Sequence, residues 1–149
     1  MMRLFLDASV LFAAALSPTG ASREILLLAL QGKCRVVLSS VVIEEVRRNL
    51  TRKAPEALPL FEEFLQTFPH EVIDPPEAEV RKVAPFVAFK DAPIVAAARH
   101  ARVDALVSLD RQHLVGVPEA ERAAGVKILL PAEALHRIRR GLRANDASF

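Results

Sequence analysis

Arg3-Leu4-Phe5-Leu6-Asp7-Ala8-Ser9-Val10-Leu11 decides how the chain is to be read. Arg3–Leu6 is a short apolar run of the kind that forms a buried strand. Ala8–Leu16 then has the composition of a helix, stopped by Ser17-Pro18-Thr19-Gly20. With Arg3 ahead of it and Ala13, Ala14 and Ala15 near its end, the segment also has the outline of a secretory signal. Asp7 argues against that reading, because it places a charge in the middle of the apolar region. Strand, aspartate, helix is the better description, and Asp7 becomes a residue to explain.

The same alternation continues along the chain. Ala21–Leu30 reads as a helix ending near Gly32, and the β-branched Cys34–Leu38 as a strand. Ser39 and Ser40 are capping residues for a helix over about Val41–Thr51. A helix near Glu56–Gln66 carries Leu58, Phe61, Leu65 and Phe68 at helical spacing. That stripe is either core or a surface for a partner. His70–Ile73 reads as a short strand, Glu77–Val83 and Ala92–Arg102 as helices, Ala105–Leu109 and Val126–Leu130 as strands. Ala132–Leu142 is a closing basic helix, followed by a short tail over residues 143–149. Apolar strands alternating with helices define an α/β fold: a three-layer α/β/α sandwich on a central, mostly parallel sheet of about five strands. With no repeat and no linker, residues 1–149 read as one domain.

Composition narrows the class. Of 149 residues 52% are hydrophobic and 26% charged, with mean hydropathy +0.24, which supports a sizeable core and excludes a disordered chain. One cysteine, Cys34, excludes an intramolecular disulfide and a thiolate-built zinc site, and cytoplasmic localisation is expected. No apolar run approaches the roughly 18 residues of a membrane span, so no membrane partner is expected. Net charge is only +2, but the stretch from His136 to Arg143 holds four arginines and no acid. It suits either phosphate contact or a solvated helix face.

In parallel sheets, ligands bind beyond the carboxyl ends of the strands. Asp7 ends the first strand, Asp110 ends the strand Ala105-Leu106-Val107-Ser108-Leu109, and Asp91 opens the Ala92–Arg102 helix. Each is open to two readings, a helix cap or a member of a shared acidic pocket. On the Val41–Thr51 helix, Val42, Ile43, Val46 and Leu50 form the apolar stripe. Glu44 points away from it, and Glu45 lies on its border, at a cleft rim or on a solvated flank. Asp104 starts the strand that Asp110 ends and is excluded, about 20 Å away at the other edge. Four carboxylates in one pocket repel one another, and a hard divalent cation removes that cost. Oxygen ligands suit Mg²⁺ or Mn²⁺, whose natural substrate at such a site is a phosphate ester.

Four segments resemble the PIN-domain nucleases. They are Leu6-Asp7-Ala8-Ser9-Val10-Leu11, Glu45-Val46-Arg47-Arg48-Asn49-Leu50, Lys90-Asp91-Ala92-Pro93-Ile94-Val95-Ala96-Ala97-Ala98, and Asp104-Ala105-Leu106-Val107-Ser108-Leu109-Asp110. The resemblance implies a metal-dependent endoribonuclease, a phosphodiester hydrolase cleaving single-stranded RNA by metal-activated water to 5′-phosphate and 3′-hydroxyl ends. It further implies a small VapC-like toxin, a homodimer neutralised by a small antitoxin protein. By motif, Asp7, Glu45, Asp91 and Asp110 are the catalytic and metal-site acids, with Ser9 and Ser108 supporting the first and last. Position 8 is Ala where the family usually has Thr, and Gln112 stands where many members carry another acid. His113 reads as a substrate contact or a structural residue, Cys34 as a buried thiol. With no Tyr or Trp in the chain, only Phe is available to stack on bases, so stacking platforms are poorly supplied and electrostatics and the metal are expected to carry RNA binding. The alternative is a non-catalytic PIN-like module binding RNA or protein. A receiver-like phospho-acceptor domain is disfavoured, since the last strand runs into Leu130-Pro131 instead of a lysine.

Overall fold

A computed structural model describes residues 1–147. The chain forms β1 (Arg3–Leu6), α1 (Ala8–Leu16), α2 (Ala21–Leu30), β2 (Arg35–Leu38), α3 (Ser40–Lys53), α4 (Leu58–Thr67) and β3 (Glu71–Val72). There follow α5 (Glu77–Val83), α6 (Ala92–Ala101), β4 (Ala105–Val107), α7 (Pro118–Ala124), β5 (Lys127–Leu129) and α8 (Pro131–Ala147). All five strands pair in parallel, in the order β3-β2-β1-β4-β5.

That order places β1 at the centre and reverses direction between β1 and β4. Crossovers leading outward from β1 through β2 to β3 and those returning to β4 and β5 run in opposite senses. Right-handed connections therefore put their helices on opposite faces. In agreement, α1 packs against α2 and α3 and α3 against α4, α6 packs against α5 and α7, and α8 returns to α2. Leu4, Phe5, Leu6, Val36, Val37, Leu38 and Leu106 are fully or almost fully buried, so the central strands are apolar on both faces, as a covered sheet demands.

Several boundaries differ from the sequence reading for identifiable reasons. The helix expected near Glu56–Gln66 is a 3₁₀ turn at Pro55–Ala57 followed by α4, because Pro59 belongs in a first helical turn. Its stripe is core: Phe61 and Phe68 are buried, and Leu58 and Leu65 are partly buried against the core. The strand expected through Leu109 stops at Val107. Ser108 still donates its backbone N–H to Leu129 O, but Leu109 N–H turns to Ser9 Oγ at 3.1 Å, leaving the ladder. Asp110 therefore stands in the loop after β4, not at the strand's end. Helix α7 was not anticipated; its buried side is only Ala120 and Ala124. Helix α8 takes in residues 143–147 of the expected tail, and residues 148–149 lie outside the described residues. No single helix among the described residues is long and apolar enough to cross a membrane; α1 and α2 pass only as a pair, bent by 92°.

Candidate metal centre

Where the strand order reverses, the carboxyl ends of β1 and β4 lie side by side, and Asp7 N–H donates to Val107 O at 3.1 Å. Open parallel sheets place ligands at this switch point.

Asp7 is 5% exposed and caps α1. Its Oδ1 accepts from Ser9 N–H at 2.9 Å, from Val10 N–H at 3.4 Å and from the Ser9 hydroxyl, while Oδ2 accepts from Ser108 Oγ at 2.5 Å. The two hydroxyls also reach the neighbouring loop: Ser9 Oγ accepts from Leu109 N–H, and Ser108 Oγ from Asp110 N–H at 3.0 Å. Each serine is thus a two-sided tie between Asp7 and the segment that carries Asp110. Burial pushes the Asp7 carboxyl above the ordinary range, against the lowering effect of those hydrogen bonds.

Asp110 is half-buried. Desolvation alone would raise its carboxyl. Backbone N–H groups of His113 and Gln112, each 2.9 Å from Oδ1, and the His113 ring outweigh that and hold it below the usual range. His113 Nδ1 lies 3.3 Å from Asp110 Oδ2, and Lys90 Nζ 3.9 Å from the same oxygen.

Asp91 differs from both. It precedes α6 in a 3₁₀ turn, Phe89–Asp91, is 6% exposed, and its side chain makes no cap hydrogen bond. Among the described residues its Oδ2 is the one buried side-chain oxygen or nitrogen without a partner. Burial raises its carboxyl, Lys90 opposes this, and the Asp110 and Asp7 charges add to it. An Asp91 oxygen, an Asp110 oxygen and a His113 ring nitrogen lie within 4.8 Å of one another. Two ligands of one Mg²⁺ sit at most about 4.2 Å apart, so small side-chain rotations would bring all three onto one ion.

Glu45, on α3, is half-buried, while Glu44 is exposed. Its carboxyl is raised first by burial and then by the Asp7 charge, with a smaller push from Asp91; Arg48 and Lys90 oppose it. The four acids therefore share one electrostatic neighbourhood. The close triple, however, contains Asp91, Asp110 and His113, leaving Asp7 and Glu45 outside it. Asp104 is elsewhere: its Oδ2 accepts from Arg3 N–H at 2.7 Å, at the opposite end of β1. His113 was the residue the sequence left ambiguous. The available signal was the turn Asp110-Arg111-Gln112-His113, which folds residue 113 back onto an aspartate three positions earlier.

A buried carboxylate oxygen with no hydrogen bond fits a bound metal ion. The donor set of carboxylates plus one imidazole suits a divalent cation.

The sequence matches the PIN domain over residues 3–112, and the chain belongs to the PIN domain family. No curated protein matches it in sequence. Its fold is shared by PAE2754 from Pyrobaculum aerophilum, at 22% identity and TM-score 0.65, covering 93% of this chain and 96% of that one. VapBC2 from Rickettsia felis, solved bound to a promoter DNA fragment, is similar at 13% identity and TM-score 0.63, covering 87% and 98%. VapC20 from Mycobacterium tuberculosis, a toxin that cleaves the sarcin-ricin loop, is similar at 16% identity and TM-score 0.52, covering 73% and 91%.

Proposed function

We propose that the protein is a metal-dependent endoribonuclease acting on single-stranded RNA, the toxin of a toxin–antitoxin pair. The observation that carries this reading is the Asp91 carboxylate, buried with an unpartnered oxygen beside Asp110 and His113. Membership of the PIN domain family supports a nuclease. A divalent cation in such a pocket supplies charge against a phosphodiester and lowers the cost of deprotonating water.

Asp91, Asp110 and His113 would hold the ion, and the imidazole favours Mn²⁺ over Mg²⁺. Asp7, fixed by Ser9 and Ser108, would complete the ligand set directly. Glu45 would ligate directly or through water. Lys90 and Arg48, both exposed at this rim, offset the repulsion between four acids and an approaching phosphate. A small antitoxin is the proposed partner, since VapBC proteins of this fold are solved as complexes. We also assign the chain to one domain, a homodimer and the cytoplasm.

Cleavage of a short single-stranded RNA with Mn²⁺, with and without EDTA, tests the activity. Asp7→Asn should reduce cleavage at least 100-fold while leaving the folded circular dichroism spectrum intact, as expected when a reacting-centre charge is lost. Full activity in that variant, or in EDTA, rejects the assignment. In that case the protein is a non-catalytic binding module, with Asp7 and Asp110 serving as caps.

A further inference from the structure

The lip of the acidic pocket carries one side chain that the fold does not use. Phe89 is 92% exposed, the most exposed large apolar side chain among the described residues. It opens the 3₁₀ turn that ends at Asp91. Two residues of backbone, at most about 7 Å, separate its Cα from that of Asp91. Its neighbour Lys90 reaches to 3.9 Å from Asp110. On the other loop Leu109, 45% exposed, immediately precedes Asp110. Among the described residues the other exposed phenylalanine, Phe86, lines a separate cleft with Lys82, Arg99 and Arg122.

We infer that Phe89 is a nucleobase-stacking site adjoining the metal centre, and that an unpaired base next to the phosphate at the carboxylates rests on its ring. This inference rests on the RNA-cleaving reading above. A ring this exposed leaves its apolar area uncovered, so something outside the chain gains by covering it. The surroundings select the occupant. A single-stranded nucleic acid brings an anionic backbone for Lys90 and a flat π-face for the ring, whereas a duplex keeps its bases stacked internally. An apolar protein surface would have to bury Lys90 and the acidic pocket together with the ring.

Cleavage kinetics and a fluorescence measurement test it. Phe89→Ala should raise KM for a single-stranded RNA roughly 5- to 150-fold, equivalent to about 1–3 kcal/mol per stacked base. Its kcat should stay within about 2-fold, because the ring does not touch the reacting atoms. Phe89→Trp should restore KM. Because the chain contains no other tryptophan, emission from that variant reports position 89 alone. Adding RNA should quench it, and an abasic oligomer of the same length should not. An unchanged KM in Phe89→Ala, or equal quenching by the abasic oligomer, overturns the stacking site while leaving the nuclease standing. Failure of the wild-type protein to cleave RNA rejects the nuclease instead, and the quenching measurement, which needs no cleavage, still decides the site. If Phe89→Ala alters sedimentation but not RNA affinity, the ring belongs to a protein interface and the inference fails.

Discussion

Three aspartates begin from the same two readings, and single hydrogen bonds separate them. Asp7 caps α1 and Asp110 caps its own turn through Gln112 and His113, so each has a structural job whether or not it binds an ion. Asp91 sits at a helix start without capping it. A carboxylate that is buried, raised and unpartnered costs stability in the metal-free protein. Asp91→Asn should therefore raise the metal-free melting temperature by about 2–4 °C, the change expected from roughly 1 kcal/mol. The same substitution should abolish the rise in melting temperature expected of the wild type with Mn²⁺. A variant that melts lower without metal and still responds to Mn²⁺ would remove Asp91 from the ligand set. Sequence could place these acids at strand-to-helix junctions. It could not say which oxygen lacks a partner, because that depends on backbone N–H groups meeting each carboxylate in three dimensions. For the same reason His113 stayed undecided until its turn was seen.

At the level of elements, the boundaries of β1, α1, α2 and α5 coincide with those read from sequence. Each has a clear stop: Asp7, Ser17-Pro18, Gln31-Gly32 or the Ala84-Pro85 turn. Overshoot at β4 has the opposite cause. Leu109 prolongs the apolar pattern, yet its backbone bonds to Ser9 and it is 45% exposed, so composition misleads where the loop carrying Asp110 begins. Helix α7 was missed because its buried face is alanine alone, too small to mark a period. Its end signals are nevertheless present: Pro118 in the first turn, Glu119 and Glu121 near the N-terminus, and Gly125 at φ +68° after the last turn. Gly125→Ala should cost about 1 kcal/mol by forcing a Cβ into the left-handed region. Sterics add nothing, since the new Cβ would meet only Arg99 Nη1 at 3.6 Å. Thermal unfolding checks this, and an unchanged midpoint would mean the turn relaxes to negative φ.

Over the whole molecule, the sheet order was the part least legible in sequence. Alternation of strands and helices implies parallel pairing, but it does not say that β4 returns beside β1. That single return creates the pocket. Cys34 offers a probe of global opening. It is buried just before β2, its Sγ 3.8 Å from Ile25 O, and burial pushes its thiol up to about 11. A raised thiol contributes stability fully below its unfolded value near 9.0, and that contribution is lost as pH rises through about 11. Urea midpoints should accordingly fall between pH 9 and 11 and fall less in Cys34→Ala. At pH 8 a disulfide reagent should label the native chain only as fast as it opens. Rapid labelling under native conditions would contradict the buried placement.

The ties between Asp7 and Ser108 span 101 positions of the chain. A polypeptide emerging from the ribosome thus carries its first aspartate long before anything exists to hold it in place. Until β4 and the loop behind it have been translated and docked, Asp7 lacks the Ser108 hydroxyl that holds its Oδ2. If the proposed activity holds, a chain truncated before residue 108 lacks the hydroxyl that holds Asp7 and should not cleave RNA.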